Sequence, residues 1–315
     1  MSMLRHYFKL AIRNLLKYKS QSVISIVGLT VGFTCFALAT LWIRYEQTYD
    51  TFHDGADRIY VVRIASEMYN DGISQITPYP LAAFMKETFP EIETACNMQA
   101  WNCQFKYKEV EYSSFEIGVD SATMEMFRFD VISGNHNFML PDNEEIAITD
   151  QLAAQLFGKE DPIGKEIDIY GKRKICAIVK PWDIHSNMPF EILASNRYEK
   201  EWNMSSWQTF IKIRKGVDIE TFRKKLKEFK ADKDPSFVIS KTELTPITAM
   251  RYDRPSREVT VKYEHILLFA SAGGLVILCA LFNYLTLFIT RIRMRNREIA
   301  LRKVCGSSDS NQLVL

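Results

Sequence analysis

The first 45 residues of this 315-residue chain contain no aspartate or glutamate. Two stretches lack charge of either sign: Gln21 to Ile43 and Ile266 to Thr290. As helices, these 23 and 25 residues would span roughly 34 and 37 Å, enough for a hydrocarbon layer of about 30 Å. Several chemical signatures are missing too. There is no G-x-x-x-x-G-K-[ST] phosphate loop, so the chain is not expected to hydrolyse a nucleotide by itself. No HExxH occurs and His53, His136 and His185 are scattered; no G-x-S-x-G elbow is present. The six cysteines contain no CxxC and have no Cys/His spacing suited to a metal. Cys35 and Cys279 fall inside the apolar runs and Cys305 beyond the second. Cys96, Cys103 and Cys176 lie between the runs, an odd number that allows at most one disulfide. The expectation is therefore a non-catalytic chain without a cofactor of its own.

What is present is strongly segregated by charge. The two ends, residues 1–45 and 265–315, hold twelve of the 40 basic residues and two of the 38 acidic ones. Residues 46–264 thus keep 28 basic and 36 acidic side chains, a net of −8. A nucleic-acid binder would place its bases on the folded part, which here is acidic. Lysine and arginine precede the first run (Arg5, Lys9, Arg13, Lys17, Lys19) and follow the second (Arg291, Arg293, Arg295, Arg297). That is the positive-inside pattern for two spans with both ends cytoplasmic and residues 46–264 outside. The first run is longer than a signal peptide's apolar region, and it ends in Leu-Trp-Ile-Arg-Tyr rather than small residues, so it reads as an anchor. Trp42 and Tyr45 stand where an interfacial aromatic anchor would.

Along the chain, residues 1–20 read as a cytoplasmic amphipathic helix. Leu4, Phe8, Ala11, Ile12, Leu15 and Leu16 fall on one face, while Arg5, Lys9, Arg13 and Lys17 recur every four residues on another. Residues 21–45 form the first span, where Gly28 and Gly32 make a G-x-x-x-G pair that lets a second helix approach closely. Residues 265–290 form the second span, with a small-residue patch at Ser271, Gly273 and Gly274 and one strongly polar side chain, Asn283.

The segment between reads as one α+β domain. Strands are expected at 58–65, 115–119, 146–149, 167–169, 174–179, 209–213 and 237–240, and helices at 81–89, at 150–157 with Asp150 as N-cap, and at 218–229. Leu156-Phe157-Gly158-Lys159-Glu160-Asp161-Pro162-Ile163-Gly164 reads as a helix stop at Gly158, a turn begun by Asp161-Pro162 and completed by Gly164, and then a strand. In residues 291–315, Arg291 to Gly306 combines alternating bases with an apolar face of Ile299, Ala300, Leu301, Val304 and Cys305. A stop-transfer flank explains the arginines but not the apolar face; a short helix docking in a partner's groove explains both.

At these residues the chain resembles the FtsX/MacB-type permeases of ABC transporters, with a MacB-like periplasmic core. The resemblance rests on Ala11–Lys17 with Val27–Gly32, on Leu156–Gly164 with Val179-Lys180 and His185-Ser186, on Asn283–Leu287, and on Arg297–Gly306. It implies a permease subunit in the bacterial inner membrane that dimerises with the same or a different permease and pairs with a cytoplasmic ATPase, which would bind the ATP. It also implies a coupling helix that passes ATPase motion to the first two spans and so to the periplasmic domain (mechanotransmission), for export or extraction of a substrate, with a periplasmic adaptor as a further partner. By the same resemblance, Arg297, Glu298, Arg302 and Lys303 would contact the ATPase, Ile299 and Leu301 would fill its groove, and Gly28 and Gly32 would pack the spans. Such permeases continue through further spans, so the sequence to Leu315 is expected to be an N-terminal portion. Two other functions stay open: a two-span sensor with a periplasmic ligand-binding domain, and an FtsX-like regulator of a periplasmic enzyme.

Overall fold

The computed structural model describes residues 19–66, 72–108, 110–141, 143–182, 185–196, 199, 201–234, 237–253 and 263–304. The amphipathic helix expected before Lys19, and Cys305 and Gly306, lie outside them. Two compact units emerge: one holds the long helices, the other runs from Gln47 to Thr260.

The helical unit contains α1 (Lys19–Glu46) and the second long helix (Tyr263–Val304). Both are long and apolar enough to cross a membrane, with mean hydropathies of 2.0 and 2.3 over their apolar parts. Leu38, Leu41, Leu267, Leu275 and Phe282 are each at least 61% exposed on these helices. So much outward leucine and phenylalanine is unfavourable in water and natural against lipid.

The second unit is built on one mixed sheet with short helices, an α+β arrangement. Its strands are β1 (Ile59–Ser66), β2 (Ile73–Ser74), β3 (Thr77–Pro78), β4 (Ile92–Tyr107), β5 (Val110–Val119), β6 (Val131–Gly134), β7 (Ile146–Thr149), β8 (Glu166–Asp168), β9 (Lys172–Val179), β10 (Ile192–Ser195), β11 (Ser205–Ile213), β12 (Ala231–Asp234) and β13 (Phe237–Pro246). Its helices are α2 (Leu81–Thr88), α3 (Ser121–Met126), α4 (Asp150–Phe157), α5 (Ile219–Lys227) and α6 (Met250–Asp253), which makes the helix Tyr263–Val304 α7.

The main strand order is β12-β13-β1-β11-β4-β5-β10-β7-β9-β6. From β12 to β5 all neighbours are antiparallel; β5–β10 and β7–β9 are parallel. β8 reaches back to join β4 with β9. Three apolar clusters follow. Leu81 and Met85 of α2 and Phe222 and Leu226 of α5 cover the first half, against Val62, Ile64 and Ile211. Leu152, Leu156 and Phe157 of α4 cover the second half, against Ile146, Ile148 and Ile175. A third cluster spans both halves through Val61, Met98, Ile117, Phe127, Phe210 and Val179.

Sequence and structure agree well at α4 and the turn after it. Gly158 ends the helix at φ 66°, and its N–H donates to the Ala154 carbonyl. Ile163 N–H donates to Asp161 Oδ1, and Gly164 sits at φ 85°. The N-cap is a correction: Thr149, not Asp150, accepts the Leu152 N–H, because its extended backbone (φ −69°, ψ 154°) aims the hydroxyl at the first turn. The three cysteines of this unit, Cys96, Cys103 and Cys176, are free thiols. Burial pushes the latter two up to about 11 and Cys96 well above the ordinary value, which leaves all three as unreactive packing groups.

One backbone position is under tight steric control. Gly134, the last residue of β6, has φ 97°, and a Cβ there would collide with the Cys176 carbonyl and the Ala177 backbone. Gly134→Ala should therefore destabilise this unit by about 1–3 kcal/mol, read from denaturant unfolding followed by tryptophan fluorescence. An unchanged midpoint would show that β6 can move away from β9 without cost.

Candidate functional site

Gly28 and Gly32 of α1 face side chains of α7. A Cβ at Gly32 would lie 2.8 Å from the Ala280 Cβ, and one at Gly28 would lie 3.0 Å from Asn283 Nδ2. Further along, a Cβ at Gly273 would lie 3.1 Å from the Ala39 Cβ, and the Trp42 and Phe269 rings meet at 5.0 Å. Rising numbers on α1 meet falling numbers on α7, so the two helices run antiparallel. The small residues let dispersion contacts and backbone approach do the holding where lipid removes most hydrophobic drive. Asn283, the polar residue expected to find either water or a helix, is packed over Gly28. Gly274 of the expected small patch faces open space.

The coupling segment differs from expectation in one respect. It is not a separate short helix after the second span but the continuation of α7, which runs 42 residues without interruption to Val304. Residues 291–304 contain neither proline nor glycine, and their Arg, Met, Leu, Ala and Lys are good helix formers, so nothing local ends the helix. Arg297, Ala300, Leu301 and Val304 are exposed. Leu301 and Val304 are three apart and lie on one face with Arg297. Glu298, Ile299, Arg302 and Lys303 share this helical backbone.

A second cluster lies where the chain enters the external unit, and sequence reasoning missed it. Asp50 is fully buried and held at φ 55°. Ser186 Oγ donates to its Oδ1 at 2.7 Å, Asn187 Nδ2 to its Oδ2 at 2.6 Å, and the Asn187 N–H to both oxygens at 3.2 Å. Its own N–H donates to the His185 carbonyl at 2.8 Å. Tyr49 packs edge-on against His185, and the Arg251 guanidinium of α6 lies 4.1 Å above the Tyr49 ring. Burial raises the Asp50 pKa, opposed by the Ser186 and Asn187 hydrogen bonds and by Arg251. The signal available in the sequence was the pair Tyr49-Asp50 set just beyond an apolar run, too common a dipeptide to single out.

Three residues on, His53 is 3% exposed and boxed by the rings of Phe52 (4.2 Å), Trp182 (4.7 Å) and Phe127 (5.0 Å). Neither ring nitrogen has a hydrogen-bond partner among the described residues. Burial, with the Lys212 charge nearby, lowers its pKa from 6.5 to about 4. Lys212 Nζ in turn donates to the Asp54 carbonyl at 2.9 Å. These groups fasten the chain; they are not arranged to transfer a proton or activate a nucleophile. Among the described residues no three His, Cys, Asp or Glu side chains gather as metal ligands.

Residues 22–229 match the family described as MacB-like periplasmic core domain. No curated protein matches the chain. Among solved structures, similarity extends to a domain from a Porphyromonas gingivalis protein described as a permease (17% identity, 69% of this chain and 99% of that one, TM-score 0.50), which shows a shared fold. Others are the extracellular domain of the noncanonic ABC-type transporter YknZ from Gram-positive bacteria (14%, 52% and 88%, TM-score 0.41) and the periplasmic region of MacB from Actinobacillus actinomycetemcomitans (11%, 62% and 92%, TM-score 0.44).

Two outcomes follow from these geometries. Gly32→Leu should force the helices apart and weaken their association by tenfold or more, on the order of 1.4 kcal/mol, measured by cross-linking cysteines at positions 42 and 269 in lipid, where the native rings already meet. Undiminished cross-linking would remove the close approach from the packing. For His53, the imidazole is neutral in both states above pH 6.5. As pH falls toward 4 only the unfolded chain takes up the proton, so stability is lost over that window, by about 3 kcal/mol at its lower end. His53→Phe should flatten this part of the unfolding-versus-pH curve; an equal slope in both proteins would contradict the cage.

Proposed function

The chain belongs to the MacB-like periplasmic core domain family, and on that premise we propose that it is a permease subunit of an FtsX/MacB-type ABC transporter. It carries the motion of a separate cytoplasmic ATPase across the inner membrane to the periplasmic unit (mechanotransmission), for export or extraction of a substrate. Both ends are cytoplasmic, residues 46–264 are periplasmic, ATP binds to the partner, and the permease works as a dimer with the same or a different chain. A periplasmic adaptor is a further candidate partner.

The observation that carries this reading is the unbroken α7. Its 42 residues measure about 63 Å, longer than a bilayer's hydrocarbon layer by roughly a factor of two. A single rod therefore links a basic, apolar-faced inner end to the segment that leads out of the external unit. Arg297, Glu298, Arg302 and Lys303 would meet acidic and basic groups of the ATPase, with Ile299 and Leu301 as apolar anchors in its groove. Exposed Leu301 and Val304 support this, since apolar side chains on a basic helix end need a cover.

The continuous helix also favours a second reading, a two-span sensor that signals inward along α7. A sensor would extend the rod into a coiled coil with apolar a and d positions. Between Arg291 and Arg297 the helix alternates base and other residues, and it shows no such heptad.

Co-purification with the ATPase encoded nearest to it in the genome, from membranes expressing both, tests the proposal. Wild-type chain should retain the ATPase, and the double reversal Glu298→Arg with Arg302→Glu should lose it at least tenfold, roughly the 1.4 kcal/mol that one pair of charge contacts supplies. Undiminished retention by the reversed chain would remove these residues from the contact.

A further inference from the structure

Along the chain, movement of α1 passes to the external unit through the residues that follow Glu46. Those residues are not a slack linker. Asp50 is held by four hydrogen bonds from Ser186 and Asn187 side chains and backbone, plus the one its own N–H gives to His185. A buried aspartate in the left-handed region persists only where its surroundings over-determine it. The accepting loop is itself anchored: Met188 N–H donates to Ser186 Oγ, and Met188 and Phe190 are buried in the central cluster.

The exit from this unit is drawn to the same point. α6 is its last described element, and Arg251 of that helix covers Tyr49, the neighbour of Asp50. Entry segment, exit segment and the 185–188 loop thus form one collar. His53 fastens the same stretch differently, by ring contacts that tolerate sliding. Hydrogen bonds to a carboxylate are short and directional and fail when stretched by less than an ångström. A displacement of the entry segment would therefore be resisted first at Asp50.

We infer that Asp50 is the positioning residue through which motion of α1 enters the external unit, with Ser186 and Asn187 as its receiving groups and Tyr49–Arg251 loading the exit segment onto the same loop. This rests on the permease reading. Asp50→Asn keeps size and backbone preference but turns one acceptor into a donor facing the Asn187 amide, which opens the clasp. Adding Asn187→Asp restores a complementary pair, so the double variant is the rescue.

The test uses the full chain with its ATPase in lipid nanodiscs, native cysteines replaced, and dyes at Tyr170→Cys and Arg293→Cys. ATP should change the dye separation in the wild type. Asp50→Asn should cut that change by roughly fivefold or more while ATP hydrolysis stays within about twofold, and the double variant should recover most of it. Hydrogen exchange at residues 49–55 verifies that the clasp has opened, and an unaltered unfolding midpoint separates transmission from general stability. A full ATP response in Asp50→Asn with an opened clasp would overturn the inference alone, as would a double variant that closes the clasp without restoring the response. No ATP response in the wild type would remove the permease reading and this inference with it.

Discussion

Every apolar cluster of the external unit borders on one strand. β4 pairs with β11 along Ile92–Met98 and with β5 along Gln99–Tyr107, so its sixteen residues serve both halves of the sheet. Over the first half both faces are largely covered: Ile92 and Ala95 point into the cluster under α2 and α5, while Cys96 and Met98 point into the central one. Over the second half the strand alternates, with Cys103 and Phe105 inward and Asn102, Gln104 and Lys106 outward. The backbone hydrogen bonds of such a strand cannot be replaced by water at its centre. Its continuity is what makes 47–260 one unit rather than two.

The same strand anchors the unit's buried polar ladder. Asn97 accepts from Thr209 and donates to the Tyr79 carbonyl, Thr209 pairs with Thr77, and Asn196 donates to the Asn97 carbonyl. Buried polar networks of this kind rigidify and fix register more than they add net stability, although here Asn196 Oδ1 is left without a partner among the described residues. Under the proposed transmission, force received at the collar would be passed on by a stiff sheet. Rigid sheet, directional clasp and uninterrupted helix are three versions of one property.

Much of this was readable beforehand, for physical reasons that differ by element. The two long helices announce themselves because charge cannot be tolerated along them, and α4 with its Gly158 stop and Asp161-Pro162 turn is specified by residues that are local in sequence. β4 was not legible. Its first half reads Ile-Glu-Thr-Ala-Cys-Asn-Met, and a strand buried on both faces loses the alternation that identifies strands. Asp50 was invisible for a different reason: its role depends on partners 136 and 137 positions away. The short helix read into 291–306 rested on an apolar face among bases, which says nothing of where a helix begins; helices end at caps, glycines or prolines, and none occurs between Thr290 and Val304.

The contacts of α7 with α1 fall at Phe269, Gly273, Val276, Ala280 and Asn283, in steps of four and three. Continued at the same rhythm, that stripe runs on through positions 297, 301 and 304. An untwisted helix drifts about 20° per seven residues, so over the 21 residues from Asn283 to Val304 the stripe turns by only about 60°. The azimuth of Leu301 is therefore slaved to that of Gly273, with no joint between them to absorb torsion. Lengthening the helix by one residue near Arg293 would swing the inner end by about 100°, while four residues would return it almost to phase. Under the proposed transmission such a rod would carry twist as faithfully as thrust, and the face it presents at Leu301 has a compass bearing set among its apolar contacts with α1.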